Sequence, residues 1–246
     1  VNLAQFQWQA ALIAKLYSWL PQGLGALLPA DLPLPAGYRP LFPLIVTDRV
    51  LWFKETSNIG MIATSDKADL IVICGTHDTL EWIEDCIGNP RSWSFADGTT
   101  ANVETGFAQV YSEMSLWGPG TPFTGYMDVL FKGGRPVHLI GHSLGSAVAQ
   151  LAGNDALCPR LSLFASPKAG DRFFNANLTK KATVDSGHVR NLKDVVPDLP
   201  PLPIYENTLP LCTFEMDYPE ILDPKARLSA CHSMEETYLP ACYGPA

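Results

Sequence analysis

The chain has 246 residues, 47% of them hydrophobic, which is enough to bury a sizeable core. A formal net charge of −8 disfavours nucleic acid as a partner. No apolar run approaches the roughly 18 residues of a spanning helix, so the expectation is one α/β domain over residues 1–246 that is not a transmembrane protein.

Taken in order, the first pattern is Leu3, Phe6, Ala10, Ile13, Tyr17 and Leu20, apolar at spacings of three and four. It has neither a basic leading region nor a small-residue cleavage site, so it reads as an amphipathic helix packed on the back of a sheet rather than a targeting segment. Pro21 ends it. The prolines from Pro29 to Pro43 suggest an extended arm over the core. Strands are predicted over 50–54 and 59–64, and the continuous apolar run from Leu70 to Cys74 reads as a central strand.

That run leads into Gly75-Thr76, a turn after a strand, where the Thr76 amide is a candidate oxyanion donor. The following stretch, His77 to Cys86, places Leu80 and Ile83 on one helical face, adds Trp82 as an apolar edge, and sets Glu81, Glu84 and Asp85 opposite. It is predicted to be a short lid helix. A loop is expected over 91–100, then scaffolding helices over 102–114 and 122–131.

The most informative stretch runs from Arg135 to Ala152. Val137, Leu139 and Ile140 suit a buried strand, Leu144 to Ala152 a closely packed helix, and Gly141-His142-Ser143-Leu144-Gly145 lies between them. Glycines on both sides of a serine let strand and helix approach while the serine takes a strained corner, the nucleophile elbow. The helix start adds its dipole and free amides, that of Leu144 first among them.

Another strand is expected over 160–165, a short helix through Leu178, and a strand over 188–192 with Asp194 just beyond it. Prolines from Pro197 to Pro210 suggest a second arm. Acyl-transfer enzymes built on such an elbow carry serine, acid and histidine in that chain order. Of five histidines, only His232 follows both serine and acid, so it is the candidate base. Several aspartates lie between; Asp194 is favoured by its place after a strand, with Asp198 next. Six cysteines permit bridges, expected among Cys212, Cys231 and Cys242, in a secreted and partly bridged protein.

Four blocks together resemble the class 3 lipases, the fungal-lipase-like branch of the α/β-hydrolases. They are Gly141-His-Ser-Leu-Gly145, Leu163-Phe-Ala-Ser-Pro-Lys-Ala-Gly-Asp171, Asp194-Val-Val-Pro-Asp-Leu-Pro200 and Gly75-Thr-His-Asp-Thr-Leu-Glu-Trp82. The chain departs from the family pattern at Cys74 and Ala165, and its tail from Cys231 to Tyr238 keeps the histidine but not the usual spacing. The resemblance implies an α/β-hydrolase fold: a central, mostly parallel sheet flanked by helices, with a short lid helix. It also implies Ser143 as nucleophile, Asp194 as acid, His232 as base, and Thr76 and Leu144 as the oxyanion hole, with no metal or organic cofactor. The substrate it implies is a lipid ester at an oil–water interface, triacylglycerol first, with a phospholipid or a feruloyl-type ester as alternatives. A lipase-like binding protein without turnover is the alternative of another class.

Overall fold

The computed structural model describes residues 2–47, 56–75, 89–207 and 209–244. The strand expected over 50–54, the oxyanion candidate Thr76 and the lid residues His77, Leu80, Trp82 and Ile83 lie outside the described residues.

The sheet is built on alternation. In β3 (Asp69–Ile73) and β7 (Val137–His142) every residue is buried. Leu70, Val72 and Ile140 enter one apolar cluster, whereas Ile71, Ile73 and Leu139 enter another. A strand apolar on both faces must be covered on both, which places β3 and β7 centrally. With β2 (Ser57–Thr64), β8 (Pro159–Phe164), β9 (Gly187–Asn191), β1 (Arg39–Val46), β6 (Met114–Leu116) and β10 (Leu211–Phe214) they form a sheet ordered β10-β9-β8-β7-β3-β2-β1-β6. Neighbours from β10 to β3 pair in parallel. The β3-β2-β1-β6 end is antiparallel.

One face is covered by α1 (Gln7–Trp19) and, following α6 (Pro224–His232), by a π-helical turn (Met234–Tyr238) and α7 (Leu239–Tyr243). Phe6, Leu12, Ile13, Leu16 and Trp19 are buried there against Leu70, Val72, Ile140 and Phe164, so the opening helix packs on the back of the sheet as its spacing predicts. The other face carries α2 (Thr105–Glu113), α3 (Phe123–Lys132), α4 (Leu144–Asp155) and α5 (Arg172–Lys181), which contribute Phe107, Tyr111, Phe123, Met127, Val148, Leu151 and Phe174 to the second cluster. Among the described residues no helix is long and apolar enough to cross a membrane.

Three departures from the sequence expectation have local causes. The expected loop over 91–100 is a hairpin, β4 (Pro90–Ser94) and β5 (Thr100–Glu104), turned at Asp97-Gly98 with Gly98 at φ 81°. Aspartate–glycine is a strong hairpin signal, and α2 consequently begins later than the pattern suggests, capped by the Glu104 carboxylate on the Phe107 amide at 2.8 Å. The first proline arm ends in a strand: β1 tolerates Pro40 and Pro43 because its outer neighbour β6 pairs only with Leu44 to Val46. Finally, β10 extends the parallel edge from within the segment that follows the second proline arm. The consequence for function is simple. The carboxyl ends of β3, β7 and β9 open on one edge, where an open α/β sheet binds its ligands.

Candidate active site

Ser143 stands at the junction of β7 and α4 with φ 57° and ψ −130°. For a residue with a Cβ this is strained backbone, worth of order 1–3 kcal/mol, and it persists because the surroundings leave no alternative. The Ser143 amide donates to the Phe164 carbonyl at 3.0 Å, and the Ser146 hydroxyl donates to that carbonyl at 3.0 Å. A Cβ on Gly145 would stand 2.1 Å from the Ile73 carbonyl oxygen, and one on Gly141 would stand 2.6 Å from the Ser146 Cα. The two glycines therefore allow β3, β7 and α4 to touch backbone to backbone, which is the elbow the pattern predicts. Leu144 is the first residue of α4, so its amide has no intrahelical acceptor.

Asp194 lies just past β9, 2% exposed, and His232 at the end of α6, also 2% exposed. His232 Nδ1 is 2.7 Å from Asp194 Oδ2. The same oxygen accepts the Tyr238 hydroxyl at 2.7 Å, and Oδ1 accepts the Val196 amide at 2.9 Å. Burial, and then the Asp194 charge, push the Tyr238 phenol well above its ordinary pKa, so it stays protonated and donates. Tyr238 reaches the carboxylate because the chain widens into a π turn after His232. Asn191 joins the acid and base segments, donating to the Met216 carbonyl at 2.9 Å and the Cys231 carbonyl at 3.0 Å. By contrast, Asp198, the other candidate acid, is exposed and paired with Arg190 at 2.7 Å.

Ser143 Oγ and His232 Nε2 are both buried and, among the described residues, both lack a hydrogen-bond partner. The His232 ring packs on that of His142, the neighbour of Ser143, with centroids 4.9 Å apart. The other described histidines are held neutral. Burial lowers His138 and His188 to about 3 and His142 well below the usual imidazole range, the proximity of His232 adding to the effect at His142. His188 Nε2 accepts the Ser166 amide at 2.9 Å, a structural bond of β9 to the loop after β8.

The sequence pattern gives no part in the site to Tyr17, His142 or Tyr238. Tyr17 was visible only as an apolar position of α1, yet its hydroxyl accepts the Gly75 amide at 2.7 Å and lies 2.7 Å from His142 Nδ1. Ala165, where the family pattern has glycine, takes the left-handed conformation at φ 49°. The bridges expected among Cys212, Cys231 and Cys242 do not form: all five described cysteines are thiols, and the Cys231 sulfur faces the Met216 carbonyl at 3.9 Å and Asp217 at 3.8 Å instead. Burial raises the Cys74 thiol far above its ordinary pKa, which leaves it inert mid-sheet. No cluster of histidine, cysteine, aspartate and glutamate suited to a metal ion occurs among the described residues.

Comparison with known proteins bears on the family and the fold. The family model described as lipase (class 3) matches residues 70–203. The phospholipase A1-II 7 of Oryza sativa subsp. indica is 28% identical, over 70% of this chain and 53% of its own length. The phospholipase A1-IIgamma of Arabidopsis thaliana is 25% identical, over 84% and 57% respectively. The chain thus spans a little over half the length of these curated relatives. Among solved structures, lipase II from Rhizopus niveus superposes with a TM-score of 0.64 at 20% identity, covering 87% of this chain and 80% of that one. The lipase from Rhizopus microsporus var. chinensis gives 0.62 at 20% identity, covering 87% and 74%. At such identities the structures speak for the fold, a central sheet of mostly parallel strands flanked by helices.

Proposed function

The chain belongs to the class 3 lipase family, and from that premise we propose that it hydrolyses carboxylic esters of lipids through Ser143, His232 and Asp194. The observation that carries the reading is the His232 Nδ1 to Asp194 Oδ2 bond at 2.7 Å, buried beside an elbow serine whose hydroxyl has no partner among the described residues. With Nδ1–H given to the carboxylate, Nε2 carries the lone pair of a base. His232 takes the Ser143 proton as Oγ attacks the ester carbonyl, and the resulting imidazolium is stabilised by Asp194. The tetrahedral oxyanion is met by the Leu144 amide and by the amide following Gly75, that of Thr76, each worth about 3 kcal/mol in the transition state. The imidazolium then protonates the leaving alcohol, and water cleaves the acyl-enzyme by the same route.

Apolar surface at the active edge favours a lipid. Leu192 and Val195 flank Asp194 and are exposed, and Leu222, 91% exposed, lines with Lys193, Leu228 and Cys231 an open cavity of about 430 Å³. Triacylglycerol is the substrate the sequence pattern implies. A second reading, a phospholipid acyl ester, is favoured by the curated relatives, both phospholipases A1 by name.

The test is hydrolysis of emulsified triacylglycerol, phosphatidylcholine vesicles and p-nitrophenyl butyrate, run side by side on wild type and Ser143→Ala. Wild type is expected to prefer one of the two lipids, and Ser143→Ala to lose activity on the order of 10⁴-fold or more while staying folded. Near-normal activity of purified Ser143→Ala would overturn the assignment.

A further inference from the structure

We propose that Tyr17 and His142 are positioning residues for acyl transfer, holding the end of β3 and the backbone of the base His232 around Ser143 through one directed chain of hydrogen bonds. The inference rests on the reading of Ser143, Asp194 and His232 as a triad.

The direction of the chain follows from donor and acceptor counting. His142 Nε2 lies 3.0 Å from the carbonyl oxygen of His232. A carbonyl only accepts, so Nε2 must carry the proton. His142 is kept neutral by burial and by the neighbouring His232, so its Nδ1 presents a lone pair. The group 2.7 Å from Nδ1 is the Tyr17 hydroxyl, which must therefore donate. Its oxygen accepts the Gly75 amide at 2.7 Å. The order is Gly75 N–H to Tyr17, Tyr17 O–H to His142 Nδ1, His142 Nε2–H to the His232 carbonyl, and reversing any one link would bring two lone pairs or two protons face to face.

The endpoints of this chain are what acyl transfer needs fixed. Gly75 immediately precedes the residue whose amide is the second oxyanion candidate, and a Cβ placed on Gly75 would lie 2.8 Å from Ser143 Cβ and 2.9 Å from the Tyr17 oxygen, so the hydroxyl is built against the nucleophile. At the other end, the His232 carbonyl belongs to the last turn of α6, where carbonyls have no intrahelical donor, and His142 supplies one. The His142 ring itself is held edge-on by Tyr17, with centroids 5.5 Å apart, and by Tyr238 at 5.8 Å. A helix outside the family-matched segment 70–203 thereby reaches into the reaction centre through one hydroxyl. Misplacing reacting groups by an ångström costs about 100-fold in rate.

The test uses Tyr17→Phe, His142→Gln, His142→Phe and the double variant of the first two with p-nitrophenyl butyrate, rates being normalised to serine titrated by a p-nitrophenyl phosphonate. Glutamine retains an acceptor and a donor, so His142→Gln should keep more activity than His142→Phe. The expected result for Tyr17→Phe is a kcat lower by about 10- to 100-fold with KM within about twofold. Because the links act as one chain, the double variant should be no slower than the slower single. An unchanged kcat per titrated site in folded Tyr17→Phe, or losses that multiply in the double variant, would overturn the proposal. Should Tyr17→Phe fail to fold, the imidazole nitrogens of wild type decide: the His142 resonances, assigned by their loss in His142→Gln, should show protonated Nε2 and bare Nδ1, and the opposite tautomer refutes the chain. Failure of wild-type serine to react with the phosphonate would instead count against the triad reading, leaving the tautomer result to judge this one.

Discussion

The elbow between β7 and α4 and the segment from β10 to α7 each bring a residue of the proposed triad to the same edge, by opposite means. At the elbow, Ser143 is set by its own neighbours: Gly141 and Gly145 admit backbone at distances no Cβ would tolerate, and the strained φ of the serine is the result. At His232 nothing local dictates the position. Its ring is set by Asp194, its carbonyl by His142, and the carboxylate in turn by Tyr238 and Val196. Local sterics make the first site a matter of backbone, and long-range hydrogen bonding makes the second a matter of tertiary packing.

Breaking the long-range side should give the largest effect on rate, in a graded series. Asp194→Asn favours the wrong imidazole tautomer and should lower kcat on the order of 10⁴-fold. Tyr238→Phe removes one of the three donors to that carboxylate among the described residues and should cost about tenfold. Asp198→Asn breaks only an exposed pair with Arg190 and should be within about twofold of wild type. Steady-state kinetics on a soluble ester decides the order, and a crippled Asp198→Asn beside an active Asp194→Asn would exchange the two acids.

Breaking the local side should show in stability instead. In Gly145→Ala the new Cβ would meet the carbonyl oxygens of Ile73 at 2.1 Å and Cys74 at 2.6 Å, both backbone, so α4 must part from β3. A loss of at least about 3 kcal/mol is expected in urea unfolding. A wild-type midpoint would mean that the elbow has slack that its contacts deny.

A last effect, read in stability alone, is a pH dependence that the buried imidazoles impose on both regions. His138, His142 and His188 have folded pKa values below that of a free imidazole, so the unfolded chain binds protons that the folded one refuses. Their contribution is fully present above about pH 6.5 and is lost as pH falls toward the folded values, at up to about 1.4 kcal/mol per histidine per pH unit. Unfolding free energy should drop by at least about 2 kcal/mol between pH 7 and pH 5. Asp97, held down at about 2 with hydrogen bonds from Lys181 and Thr99, adds a loss only below about pH 4. A flat stability profile between pH 7 and pH 5 would contradict the buried neutral state of all three rings.

The amino-acid sequence by itself determined the elbow, the buried central strands and the order in which the proposed nucleophile, acid and base follow one another. Those features are short-range: a pair of glycines around a serine, an apolar run from Leu70 to Cys74, and the scarcity of histidines after Asp194 are all read within a few residues or by counting. Only the tertiary structure separates Asp194 from Asp198 by environment, burying the first beside His232 and leaving the second exposed beside Arg190, and the proposed acid rests on that difference. It also decided what Tyr17 and Tyr238 do. In the sequence both are aromatic residues in apolar surroundings; their hydroxyls acquire direction only when a helix from the amino-terminal end and a π turn near the carboxyl-terminal end are packed on the same face of the sheet, where a buried hydroxyl must find a partner.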